Sequence, residues 1–243
     1  LLSARQVQLP GEVATAPDGS THFFVQDPYG NLFEVVEAGD WFGKGRQLTG
    51  GVAGCMIGVR DLEQAKKFYA EILGYDKTIY DSTGVFSDLA CIPGGEQNVR
   101  RVLLTHSQPR AGSFSQLLGS SKIELVQALE REPKKIFEYR FWGDLGFIHL
   151  CFDVNGMDEL KQQCERAGHP FTVDSADSFD MGSAAGRFSY IEDPDGTLIE
   201  FVETHKIPIL KKLGWYLDLR KRNPQQPLPA WMLKAMALNR VRG

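Results

Sequence analysis

Apolar positions along this chain switch between two periods, and the switch occurs twice in the same order. Residues 52–59 form an apolar, strand-like run. After it, Leu62, Ala65, Phe68, Tyr69, Ile72 and Leu73 recur at the spacing that lines one face of a helix. Asp61 stands where an N-cap would accept from free backbone N–H groups, and Gly74 where a helix ends in a left-handed residue. Strand-like runs follow at 78–86, 99–106 and 122–128. The order then returns, with a strand at 146–154 and a helix from about Met157 to Ala167 that Gly168 stops. Strands at 170–174, 186–192 and 197–204 complete it. The pattern predicts two strand–helix–three-strand modules.

A repeat of sequence accompanies the repeat of pattern. Residues 24–37 match residues 190–203 at seven of fourteen positions without gaps. Each copy predicts a strand, an Asp-Pro-x-Gly turn (27–30 and 193–196) and a second strand. Proline presets φ for such a turn and glycine takes its positive-φ position. Residues 121–127 resemble the second strand of that hairpin. Residues 1–38 are therefore expected to be a partial N-terminal βαβββ module, its back half only. Residues 39–51, with five glycines, are expected as a linker, 52–205 as a complete two-module domain, and 206–243 as a basic C-terminal tail. The stretch 107–119 is expected as a loop over the site.

This plan resembles the vicinal oxygen chelate superfamily, which includes glyoxalase I, the bleomycin-resistance proteins and the extradiol dioxygenases. The resemblance is carried by Tyr190-x-x-Asp193-Pro-Asp-Gly196-x-x-x-Glu200 and by the junction Val59-x-Asp61-Leu62 with Phe68-Tyr69 and Leu73-Gly74. It implies an α+β fold of paired βαβββ modules forming a curved, cleft-enclosing sheet with helices outside. It also implies metal ligands on the first and last strands of each module. Position by position these are Gly54, Glu124, His149 and Glu200, so three positions hold donors and one has no side chain. Strand alternation puts Glu200 and Glu203 on opposite faces, and puts His149 on one face with Cys151 and Asp153.

The resemblance implies a divalent metal ion held by Glu124, His149 and Glu200, a set suited to Fe2+, Mn2+, Ni2+, Mg2+ or Zn2+. Such an ion polarises a carbonyl, and Glu124 or Glu200 would act as the catalytic group that moves the proton. The expected function is a metal-dependent lyase or isomerase acting on a small oxygenated substrate by enolate stabilisation. One alternative is an extradiol ring-cleaving dioxygenase. That pattern uses histidine at the place of Gly54 and another upstream of Tyr190, and residues 175–185 contain none. The other alternative is a metal-free, resistance-type protein that sequesters a small ligand. Taken singly, each of Glu124, His149 and Glu200 reads as an ordinary strand residue, and only their coincidence at three family positions points to a site. Glu34, equivalent to Glu200 in the partial module, reads as a structural remnant, and His22 as structural. His106, His169 and His205 have no motif around them.

Composition narrows the partners. The 243 residues are 42% hydrophobic and 24% charged, with a net charge of −4 and a pI near 5.8, which argues against nucleic acid. No apolar stretch approaches the roughly 18 residues that a membrane span requires. The tail 206–243 holds nine bases and one acid, Asp218, while the remainder carries a net −12. The tail is therefore expected to fold back on its own acidic body or on a symmetry partner, as in a homodimer. Trp231 to Leu238 predicts a short amphipathic helix there. Four cysteines without CxxC spacing predict free thiols in a reducing, cytoplasmic compartment, with Cys55 and Cys151 buried and inert. The start at Leu1 suggests a piece of a longer chain, so the lack of a targeting segment means little.

Overall fold

A computed structural model describes residues 9–39, 42–43, 50–176, 179–180 and 185–239. Much of the expected linker 39–51, and Arg240 and Arg242 of the tail, lie outside the described residues. The fold is α+β and built from βαβββ modules. The chain divides into two compact units. Unit 1 is Leu1–Ser107, Ser121–Ile148 and Pro194–Gly196, and unit 2 is Gln108–Ser120, His149–Asp193 and Thr197–Gly243.

Unit 1 begins with a three-stranded antiparallel sheet of β1 (Ala14–Thr15), β2 (Thr21–Gln26) and β3 (Leu32–Val36). The Asp-Pro-x-Gly turn joins β2 to β3. Gly30 has φ 88°, and the Asp27 carboxylate accepts from the backbone N–H groups of Tyr29 at 2.9 Å and Asn31 at 2.8 Å. The first full module follows as β4 (Gly54–Gly58), α1 (Leu62–Leu73), β5 (Lys77–Gly84), β6 (Val99–Thr105) and β7 (Lys122–Ala128). Its sheet order is β4-β7-β6-β5, with β4 parallel to β7 and the other pairs antiparallel. Asp61 caps α1 by accepting from the N–H of Gln64, and Gly74 ends it at φ 73°. Leu62, Ala65, Phe68, Tyr69, Ile72 and Leu73 are all buried, as their helical spacing predicts.

The opposite face of this sheet is buried as well. Phe24 of β2 forms a core with Leu89 and Val99, against which Met56, Phe86 and Val126 pack. The N-terminal sheet thus supplies apolar surface to the face of β6 and β7 that α1 leaves open.

Unit 2 contains α2 (Ser115–Leu118), a short turn of helix within the stretch expected as loop. Its module is β8 (His149–Asp153), α3 (Met157–Arg166), β9 (Val173–Asp174), β11 (Ala185–Glu192) and β12 (Leu198–Leu210), with β10 (Phe179–Asp180) paired to β11. The order β8-β12-β11-β9, with β8 parallel to β12, repeats that of the first module. The strand β12 runs on for 13 residues, and its far end pairs with β13 (Trp215–Asp218). The tail ends in α4 (Ala230–Met236), whose Met232 and Leu233 are buried together with Leu228, Ile207 and Ile209. Among the described residues no helix is long and apolar enough to cross a membrane.

Candidate functional site

Register fixes which side chains share a face. Glu200 lies opposite Tyr190 on β11 and opposite Cys151 on β8, and Leu198 lies opposite His149. The period of two therefore puts His149, Cys151, Tyr190 and Glu200 on one face of the unit 2 sheet. The other face carries Ile191, Ile199 and Phe201, all fully buried, with Met157 and Cys164 of α3 buried beside them. Glu203, one strand step out of phase with Glu200, accepts from the backbone N–H groups of Gly156 at 2.6 Å and Met157 at 3.3 Å. It caps α3, and Glu200 is left to the polar face.

On that face His149 Nε2 stands 3.0 Å from Glu200 Oε2, with the side chains 26% and 17% exposed. The Tyr190 hydroxyl donates to Glu200 Oε1 at 2.8 Å, and its ring meets the His149 ring edge-on. Burial, then the Glu200 hydrogen bond and charge, push the Tyr190 phenol well above its usual range. Tyr190 therefore stays a donor, and the carboxylate is held at both oxygens. Cys151 is exposed, contrary to the expectation of a buried thiol, because it lies on this polar face rather than against α3. Cys55, Cys91 and Cys164 are also free thiols.

Glu124 has different company. It lies in unit 1, 7% exposed at its side chain, and accepts from Arg101 Nε and, at 2.6 Å, from the Tyr80 hydroxyl, both at Oε1. Arg101 is fully buried and donates through Nη1 to Asp88 Oδ2 at 2.7 Å. His22 joins this group, with Nε2 3.3 Å from Asp88 and Nδ1 2.8 Å from Glu34 Oε1. Burial raises the Glu34 carboxyl above its usual range, the charge of Glu124 adds to this, and His22 and Arg101 oppose it. Phe86 lies with its ring centroid 4.8 Å from the Arg101 guanidinium carbon.

The three expected ligands thus occupy two settings. His149 and Glu200 are paired in unit 2, and Glu124 is bound to a guanidinium in unit 1. A divalent cation at Glu124 would sit beside a buried positive charge, which the low dielectric of an interior makes costly. Gly54, the empty fourth position, has a physical cause. A Cβ there would come 1.9 Å from the backbone carbonyl oxygen of Lys122 on the paired strand, so no side chain fits without moving β7. Among the described residues, no group of three or more His, Cys, Asp and Glu side chains is arranged to hold a metal ion. Two donors, His149 and Glu200, fall short of the three or more protein ligands usual for a catalytic ion. The guanidinium on Glu124 is the observation that stands against a metal ion at that residue.

Asp88, Arg101 and Tyr80 were missed by sequence reasoning. Only Arg101 left a signal, as the one of two adjacent bases, Arg100 and Arg101, that strand alternation puts on the same face as Val99 and Leu103. His22 has a carboxylate on each side, Glu34 and Asp88.

A sequence model of the Glyoxalase/Bleomycin resistance protein/Dioxygenase superfamily matches residues 51–201. No curated protein matches the chain. Among solved structures, a glyoxalase family protein from Enterococcus faecalis is 20% identical with a TM-score of 0.44, over 63% of this chain and 97% of that one. A glyoxalase family protein from Bacillus cereus is 18% identical with a TM-score of 0.47, over 66% and 97%. A glyoxalase I mutant from Zea mays is 14% identical with a TM-score of 0.49, over 83% of this chain and 62% of that one. With the family model matching more than half of the chain, the chain belongs to the Glyoxalase/Bleomycin resistance protein/Dioxygenase superfamily.

Proposed function

We propose that this chain acts on a small oxygenated molecule and moves a proton at a carbon next to a carbonyl, as a lyase or isomerase does. Glu200 is the base, the His149 ring lies beside it, and Tyr190 holds the carboxylate in place. The observation that carries this reading is the 3.0 Å approach of His149 Nε2 to Glu200 Oε2 on a partly open sheet face. In the reaction Glu200 Oε2 takes the proton, the C–H electron pair becomes a C=C bond, and the carbonyl π pair moves onto the oxygen to give an enolate. The protonated carboxyl returns the proton to the adjacent carbon or to the oxygen. A positioned acid–base pair of this kind contributes about 10²- to 10⁴-fold to rate.

Proton exchange in D2O tests this. A panel of small α-oxo compounds is followed by proton NMR with the wild-type chain, Glu200→Gln and Tyr190→Phe. Exchange on at least one compound is expected to fall by about 10²-fold or more in Glu200→Gln. Tyr190→Phe is expected to keep part of the rate. Equal exchange in wild type and Glu200→Gln rejects Glu200 as the base.

A second reading, a protein that sequesters its ligand without turnover, is favoured by one observation. Both ligand positions of the first module are closed, Gly54 by the Lys122 carbonyl and Glu124 by Arg101. Ligand-induced stabilisation with no exchange on any compound would support it. Metal analysis of the purified chain and of Glu200→Ala bears on the metal-dependent form of the function: stoichiometric metal lost in the variant restores it.

A further inference from the structure

The three modules carry equivalent glutamates, and their strand neighbours can be compared pair by pair. Glu34 faces Phe24, Glu124 faces Leu103, and Glu200 faces Tyr190. Two residues before each of these, on the same face, stand His22, Arg101 and Phe188. The register agrees, because they face Val36, Val126 and Val202 respectively. Unit 1 thus has a base at this position in both of its modules, where unit 2 has a phenylalanine. The two bases meet on one acid, since His22 Nε2 and Arg101 Nη1 both approach Asp88 Oδ2. The arrangement is a pseudo-twofold ionic cluster, Glu34–His22–Asp88–Arg101–Glu124.

From this we infer that the Arg101 guanidinium is a built-in cation that takes the place of a divalent ion between the modules of unit 1. It makes Glu124 and Asp88 a closed, structural site, and its removal turns the surrounding carboxylates and His22 into a site for a divalent cation. Three features support this. The guanidinium is fully buried, so no solvent competes for it. It joins two acids, one on the last strand of the module and one in the turn before β6. Its third nitrogen, Nη2, is buried with no hydrogen-bond partner. A planar fork therefore occupies a position where only two of its three nitrogens find acceptors, as expected of charge selected over hydrogen-bond fit. The inference rests on unit 1 alone and is independent of the proton-transfer role of Glu200.

The test is Zn2+ and Mn2+ titration by calorimetry, with metal analysis after dialysis, in a His149→Gln background so that unit 1 alone is read. The unchanged unit 1 is expected to bind neither ion tightly. Arg101→Met is expected to bind one equivalent at least 100-fold more tightly, and adding Glu124→Gln to it is expected to abolish that gain. A folded Arg101→Met chain that binds no more tightly than its parent overturns the inference. Should Arg101→Met not fold, Glu124→Gln alone decides it. Metal in the parent that Glu124→Gln removes overturns the inference, and metal content indifferent to that change supports it.

Discussion

Glu34, Glu124 and Glu200 descend from the same step of one repeated strand, yet each has a different partner: His22, Arg101 with Tyr80, and His149 with Tyr190. A carboxylate in an interior adopts the chemistry of whatever charge shares its low-dielectric surroundings. Truncating Arg101 strands two acids, so Arg101→Met is expected to destabilise the chain by about 3–5 kcal/mol in urea unfolding. Replacing Glu124 and Arg101 together should cost less than the sum of the single changes. Strict additivity would show that the pair is not coupled. At Gly54 the constraint is steric. Gly54→His would restore the side chain that the family often has there, but it is expected to lower the melting temperature and to bind no metal. A stable, metal-loaded Gly54→His chain would show that β4 can move away from Lys122.

At the scale of elements, β12 joins the site to the tail. Its first half carries Glu200 toward the polar face and Glu203 toward α3, and its second half pairs with β13. The Glu203 carboxylate caps a helix N-terminus, where anionic acceptors are worth roughly 0.5–2 kcal/mol. Glu203→Ala is expected to destabilise unit 2 by that amount while leaving the His149–Glu200 pair intact. Hydrogen exchange confined to α3 would check this, and uniform loss of protection across both units would contradict it. Removing residues 206–243 deletes Ile207, Ile209, Leu228, Met232 and Leu233, all buried, together with the apolar packing they provide. A large apolar side chain contributes roughly 1.5–3 kcal/mol on burial, so the truncated chain is expected to aggregate or to melt well below the full one. An unchanged melting temperature would mean that the tail is not part of the core of unit 2.

For the whole molecule, the ion pairs set a pH response with a definite sign. The Arg187 guanidinium beside Asp174, at 2.7 and 2.9 Å, holds that carboxyl well below the usual carboxylate range. Its folded pKa is depressed, so its contribution to stability is full above the unfolded value, near 4, and is lost as pH falls toward the folded one. The melting temperature is therefore expected to fall on acidification below about pH 4, and less steeply in Asp174→Asn. An identical acid slope in the variant would assign the loss to other groups.

Much of this was legible along the chain. Helix α1 with both caps, the succession of elements along each module and the opposite facing of Glu200 and Glu203 follow from period, turn chemistry and capping, which act between near neighbours. His149 and Glu200 were expected together from the family resemblance, and the parallel register of β8 and β12, with His149 opposite Leu198 and Glu200 opposite Cys151, sets them side by side on one face. The company of Glu124 was not. Arg101 lies 23 residues away and Asp88 sits in the short 3-10 turn Ser87–Leu89, and no spacing rule relates them. The closing of Gly54 by a carbonyl of a strand 68 residues on was equally invisible. Local sequence determined which elements form and which way their side chains face. Only tertiary structure decided which buried charges share a space, because that energy depends on distance and dielectric between residues that the chain itself keeps far apart.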